Sequence, residues 1–143
     1  MDLIAVKKVE AEEELKKVFK IRTTVFVEEQ NCPPELEWEN EDVSNHFLAT
    51  YDSTPAGACR WRPTEKGFKL ERFAVLPEYR GKGVAQKMVK TLLEDLPSQA
   101  NYVYLHAQLD AMPLYAKFNF IAEGPLFEEA GIQHYKMVLK NKD

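Results

Sequence analysis

Apolar and polar positions divide the chain into alternating strands and helices. Residues 3–9 alternate loosely, as an edge strand does. From Ala11 to about Gln30 the spacing turns helical, with Leu15, Val18, Phe19, Arg22 and Phe26 on one side. Glu12, Glu13 and Glu14 open this helix, where acids suit the dipole. The β-branched run Thr23-Thr24-Val25 weakens it locally, and Pro33-Pro34 ends it. His46–Tyr51 and Ala56–Arg62 read as a hairpin about the turn Asp52-Ser53-Thr54-Pro55. Gly67 marks a turn before a mostly apolar strand that begins near Leu70 and is stopped by Pro77. Val84, Met88, Leu92 and Leu93 then define a helix that runs to Leu96 and is broken by Pro97-Ser98. A strand over 102–107, a short helix over 111–118 with Pro113 in its first turn, and strands at 120–121 and 133–139 complete the pattern. The order β-α-β-β-β-α-β-α-β-β predicts a mixed α/β (α+β) fold around a mostly antiparallel sheet.

Length and composition narrow this little. The 143 residues, 45 % of them apolar, suffice for one core and not for two, so residues 1–143 read as a single domain. A net charge of −4 argues against general nucleic-acid binding. No apolar run approaches the roughly 20 residues that span a bilayer, which argues against a membrane partner. The start of the chain lacks the pattern of a secretory signal. Cys32 and Cys59 form neither a CxxC pair nor a disulfide framework, and a cytoplasmic protein is expected.

The most informative stretch is Leu70-Glu-Arg-Phe-Ala-Val-Leu-Pro-Glu-Tyr-Arg-Gly-Lys-Gly-Val84. It reads as a strand, a glycine turn and a helix start, and such a turn makes an anion cradle. Gly81 and Gly83 let the backbone approach a ligand, while the first N–H groups of the helix and its positive dipole end point at it. Arg80, Lys82, Lys87 and Lys90 gather basic charge there on an acidic protein, which suits a phosphate. The plainer reading is an ordinary strand-to-helix turn with a solvated lysine face. The spacing is neither that of a P-loop nor that of a dinucleotide fingerprint, since position 86 is Gln.

Arg80-Gly81-Lys82-Gly83-Val84-Ala85, behind its strand, resembles the Arg/Gln-x-x-Gly-x-Gly/Ala motif of the GNAT (GCN5-related) N-acetyltransferases. The order of elements resembles that family over nearly the whole chain. Arg22-Thr-Thr-Val-Phe-Val-Glu-Glu-Gln-Asn-Cys-Pro, Ala107-Gln108 and Glu128-Glu-Ala-Gly-Ile-Gln-His134-Tyr-Lys-Met137 are similar to its ElaA/YjcF-like branch. The resemblance implies a seven-stranded sheet with about four helices, splayed between its fourth and fifth strands. It implies acetyl-CoA as acyl donor, no metal, and an amine as acceptor, and it leaves a homodimer open. Arg80, Gly81, Lys82, Gly83, Val84 and Ala85 would hold the pyrophosphate. The backbone at Phe73, Ala74 and Val75 would meet the pantetheine, and Gln108, at the end of the fifth strand, would reach cofactor or substrate.

Acetyl transfer from a thioester to an amine needs a neutral amine, a stabilised oxyanion and a proton for the leaving thiolate. Tyr115 matches the family's general acid, and a phenol can supply that proton. Glu71, two residues before Phe73, is expected on the same face of the strand and is the candidate base; a salt bridge to a neighbouring arginine is the competing reading. His106 alternates with Tyr104 and can shuttle a proton near neutrality, or simply pack. Glu28, Glu29 and Asn31 stand where the family's first helices line the acceptor pocket. Cys32 gives no sign of an activating base, so direct transfer is expected rather than a covalent enzyme intermediate. The family glycine after the short helix is replaced by Asn119, which tolerates the left-handed backbone required there. The acidic stretch Glu35, Glu37, Glu39, Glu41, Asp42, with Trp38 among them, is either a solvated loop or a mouth that attracts a cationic amine. The expected activity is acetylation of a primary amine on a small molecule. Acetylation of a protein lysine or N-terminus, and non-catalytic acyl-CoA binding, are the alternatives.

Overall fold

The computed structural model describes residues 3–30, 44–98 and 100–140. Its elements are β1 (Ile4–Lys8), α1 (Glu12–Arg22), β2 (Asn45–Tyr51), β3 (Thr54–Pro63), β4 (Phe68–Val75), α2 (Val84–Asp95), β5 (Val103–Gln108), α3 (Met112–Ala116), β6 (Phe120–Glu129) and β7 (Ile132–Leu139). The seven strands form one sheet in the order β1-β2-β3-β4-β5-β7-β6. Every pairing is antiparallel except β4 with β5. The described residues hold three α-helices where the resemblance implied about four. The acidic stretch 35–42, with Trp38, Asn31 and Cys32, lies outside the described residues.

Side-chain alternation sorts the core onto the two sheet faces. On one, Val84, Met88, Val89 and Leu92 of α2 pack at 0–1 % exposure against Phe47, Cys59, Trp61, Leu70 and Leu105. Burying each such aliphatic side chain contributes about 1.5–3 kcal/mol, which fixes the helix that follows the glycine turn. On the other face, Val18 and Ile21 of α1, with Val25 beyond it, cover Leu48, Ala58 and Ala74. The continuation of this second face across β5 and β7 carries His106, Gln108, His134 and Lys136.

Three local departures from regular structure shape the site. The first helix does not stay α-helical: residues 23–29 form π-helical turns, with the Gln30 N–H donating to the Val25 carbonyl. The β-branched run sits there, and the Thr24 hydroxyl donates to the Lys20 carbonyl at 3.1 Å, competing with the regular ladder. In β4, Arg72 takes a left-handed backbone (φ 59°). Ala58 pairs with Ala74 while Arg60 pairs with Glu71, so β4 carries one residue more than β3 over this span, a β-bulge. Finally, β4 and β5 pair only over Phe68–Leu70 and Val103–Leu105 and then part, which opens the sheet beside the bulge.

The last hairpin is longer than its sequence suggests. β6 runs to Glu129 rather than ending near Ile121, as the outermost strand of the sheet. Gly124 and Pro125 disguise it, and the register shift between Glu123 and Phe127 absorbs them. Ala130 (φ 52°) and Gly131 (φ 79°) make the tight turn into β7.

Candidate active site

Two openings meet at the splay. A groove runs along the glycine turn, lined by Val75, Arg80, Gly81, Gly83, Ala85, Asp110, Ala111 and Leu114. A cleft occupies the splay itself, lined among others by Glu71, Phe73, His106, Gln108, Ala111, Tyr115, Glu129 and His134. Ala111 belongs to both, so the groove leads past it into the cleft.

The groove has the properties expected of a phosphate cradle. Gly81 (φ 76°) and Gly83 (φ 94°) adopt left-handed conformations, and a Cβ built at Gly81 meets nothing within 4 Å. The glycines are therefore required by backbone conformation and leave open space, not by packing. No side chain caps the start of α2, and no acidic residue lies in its first turn. Val84, 1 % exposed, offers only its backbone. Arg80 is not simply a phosphate ligand. Its guanidinium donates to both carboxylate oxygens of Glu29 at 2.7 and 2.8 Å, and its Nε donates to the Val75 carbonyl at 2.9 Å. It thus ties the turn to the end of the π-helical segment. The hydrogen bond from Arg80 holds the Glu29 carboxyl below its ordinary range. Lys82 faces away from this groove, with its ammonium 5.6 Å from the centre of the Tyr51 ring. There it lines a neighbouring groove with Lys87 and Lys90.

Tyr115 lines the cleft four residues on from Ala111, the residue that groove and cleft share. It is 6 % exposed and packs against Phe73 at 5.5 Å and Phe120 at 6.3 Å between ring centres. Burial, reinforced by Cys59 and Asp110, pushes its phenol upward, so it stays protonated through neutral pH. Such a group is a donor and not a base. Cys59, 1 % exposed, has its own thiol pushed up by burial.

Glu71 does not share a face with Phe73. The bulge at Arg72 breaks the alternation: Phe73 turns toward Tyr115, while Glu71 turns into a cluster of cations on the opposite face. Arg60 Nε donates to it at 2.7 Å and Arg62 Nε at 2.8 Å, and Lys69 Nζ lies 3.3 Å away. Burial raises its pKa, but the charges of Arg60, Lys69 and Arg72 and the Arg62 hydrogen bond outweigh burial and hold it at about 2. A carboxylate so held is a poor proton acceptor for an ammonium at neutral pH. The salt-bridge reading of Glu71 therefore describes its contacts.

The other expected residues disperse. Ala74 is buried under α1, so only its backbone could meet a ligand. The Gln108 amide donates to the Gln30 side chain at 3.1 Å, on the sheet face away from the glycine turn. Glu28 is exposed, outside both openings, and Glu29 is engaged by Arg80. His106 lines the cleft, its Nδ1 3.3 Å from Glu129 Oε2. Glu129 and His134 also line it, although neither was singled out as a site residue. The Ala-Gly turn was the signal that could have found them. Reading a hairpin across it pairs Glu129 with Ile132 and Phe127 with His134, placing the two polar side chains on the face of His106.

A sheet splayed beside a bulge, with a glycine turn and its groove on one side and a buried tyrosine lining the cleft, is the arrangement expected of an acyl-CoA-dependent acyltransferase. Residues 7–141 match the family model for the acetyltransferase (GNAT) domain, and the chain belongs to that family. The uncharacterized N-acetyltransferase YjcF of Bacillus subtilis strain 168 is 37 % identical over 130 residues, which cover 89 % of this chain and 93 % of that protein. The crystal structure of Escherichia coli ElaA superposes with a TM-score of 0.82 at 25 % identity, covering 96 % of this chain and 99 % of that one. A GNAT family acetyltransferase from Elizabethkingia anophelis, solved with acetyl-CoA bound, shares the fold at 14 % identity. Its TM-score is 0.74, with 99 % of this chain and 100 % of that one covered. The activity is accordingly acyl transfer from a CoA-derived donor to an acceptor. No helix among the described residues is long and apolar enough to cross a membrane.

Proposed function

We propose that the protein transfers an acetyl group from acetyl-CoA directly to a primary amine of a small molecule. The observation that carries this reading is the position of Tyr115, a buried, protonated phenol where the glycine-turn groove enters the splay. The turn at Gly81 and Gly83 and the first N–H groups of α2 hold the pyrophosphate, with Lys82, Lys87 and Lys90 adding positive charge nearby. The neighbour solved with acetyl-CoA supports that choice of donor. Acetyl-CoA supplies the electrophilic thioester. Backbone N–H groups of β4 beyond the bulge, where β4 and β5 no longer pair, can stabilise the oxyanion. Tyr115 gives its proton to the departing sulfur.

A thermal-shift titration with acetyl-CoA tests the donor site, because binding to the folded state raises the melting temperature by linkage. Gly81→Asp, read against Gly81→Asn, isolates charge from backbone strain, since both residues tolerate a left-handed backbone. A rise seen in the parent and in Gly81→Asn but lost in Gly81→Asp supports the cradle. No shift of the parent at millimolar acetyl-CoA overturns the reading.

A further inference from the structure

The polar wall of the cleft holds a cluster that neither the tyrosine nor the glycine turn uses. His106 of β5 and Glu129 at the tip of β6 are in contact, Nδ1 to Oε2, at 3.3 Å. His134 of β7 places its Nε2 3.9 Å from the other oxygen of Glu129. The opposite nitrogen of His134 is 2.7 Å from the Ile132 carbonyl, so Nδ1 carries hydrogen and donates there. Glu129 is thereby flanked by two imidazoles, one fixed by the backbone. Two imidazoles about one carboxylate on the wall of a cleft are suited to acid–base work.

We propose that His106 is the general base of this cleft, taking the proton of the acceptor ammonium, with Glu129 as the positioning residue that orients its ring. The proposal rests on the acyl-transfer reading above and names the group that reading lacks. With Nδ1 directed at Glu129, His106 presents Nε2 to a bound acceptor. Phe127 packs edge-on against the ring at 5.0 Å and Tyr104 lies 6.0 Å away, which fixes its plane. The hydrogen bond from His106 lowers the Glu129 carboxyl to about 2, ahead of the opposing effect of burial, so the partner of the ring is an anion at neutral pH. The charged and titratable groups around His106 are Lys69, Glu71 and Arg72 on β4, Tyr104 on its own strand, Glu129 on β6, His134 and Lys136 on β7, and Tyr115 on α3. Glu71 is committed to its cations, so it does not compete with His106 for the proton of the acceptor.

The proton balance is complete. Neutral His106 accepts one proton from the ammonium, and the freed amine forms the C–N bond to the acetyl carbon. The C–S bond breaks, the sulfur takes the Tyr115 proton, and the second amine proton returns to the phenolate. His106 then releases its proton to water, so amide, thiol and one proton are formed.

The test compares two acceptors in a thiol-release assay: 2-phenylethylamine, an ammonium at neutral pH, and hydroxylamine, which is already neutral in mildly alkaline buffer. In His106→Gln, kcat with 2-phenylethylamine at neutral pH falls about 10²–10⁴-fold while hydroxylamine transfer falls far less, and kcat/KM for 2-phenylethylamine then climbs with pH until the acceptor itself is deprotonated. Equal losses with both acceptors, or an unchanged pH profile, overturn the proposal and leave the acyl-transfer reading intact. No thiol release by the parent above the enzyme-free rate with either acceptor overturns both. A measurement independent of activity is the ¹³C titration of the Glu129 carboxyl. It titrates near 2 in the parent and returns toward the ordinary glutamate range in His106→Gln; an ordinary value in the parent overturns the pairing.

Discussion

Replacing Glu71 by glutamine keeps the shape of the side chain and removes a charge that Arg60, Arg62 and Lys69 share. Arg60 is fully buried and would be left next to a neutral amide. The carboxyl sits at about 2 in the fold against an ordinary 4.5, a depression of about 2.5 units, worth about 3 kcal/mol at 1.36 kcal/mol per unit. Breaking a buried ion pair by removing one partner costs about 3–5 kcal/mol, so the two routes agree. For a chain of this length a loss of about 3 kcal/mol lowers the melting temperature by roughly 10 °C. The sign with pH follows from the direction of the shift. A depressed carboxyl stabilises the fold fully above its unfolded value, and that contribution is lost as pH falls from about 4.5 toward about 2. Urea unfolding of parent and Glu71→Gln, repeated from neutral pH down to the acid limit of folding, should show a gap of about 3 kcal/mol that closes through that window. A gap below about 1 kcal/mol at neutral pH, or one that persists unchanged in acid, would refute the assignment of Glu71 to charge neutralisation. A base at position 71 would instead show as an acceptor-selective loss of turnover with stability spared.

Tyr115→Phe should lower kcat about 10²–10⁴-fold with the acetyl-CoA dissociation constant kept within a few-fold, measured by thiol release beside calorimetry; unchanged turnover would remove the general acid. Reversing Lys82, Lys87 and Lys90 to glutamate together should weaken acetyl-CoA binding and flatten its salt dependence, as followed by titration at low and high ionic strength. Asn119 has φ 73°, so Asn119→Gly should leave stability within about 0.5 kcal/mol or raise it, whereas Asn119→Val should cost at least about 1 kcal/mol in urea unfolding. Glu29→Gln breaks an exposed ion pair and should change stability by no more than about 1 kcal/mol, seen in the same assay.

The layout of strands and helices was readable from periodicity because each central element buries one regular face. The glycine turn was readable for a related reason, since a strand, two glycines and a change of period leave few alternatives. Asn119 was anticipated in its left-handed conformation, and the structure places it there. The bulge at Arg72 was not readable. Arginine has no tendency toward positive φ, and the conformation is imposed by the register between β3 and β4, so the alternation argument that paired Glu71 with Phe73 failed at that residue. The π-helical turns left only a trace, the β-branched run, which marks weakness without saying what replaces the α-helix. Most of β6 was hidden because an exposed outer strand needs no apolar face, and Glu129 was hidden with it.

The splay makes the sheet a septum with a slit. The groove along the glycine turn lies on the side of α2, while His106, Gln108, Glu129 and His134 face the opposite side. On the proposed reading the two reactants therefore enter by separate doors and touch only through the gap. Neither has to leave for the other to arrive, and CoA and the acetylated product can depart in either order. On that reading the two specificities are also separable: the glycine turn would set the donor, whereas the β6–β7 hairpin tip would border the acceptor. Evolution can rebuild that hairpin for a new acceptor while the donor side stays as it is.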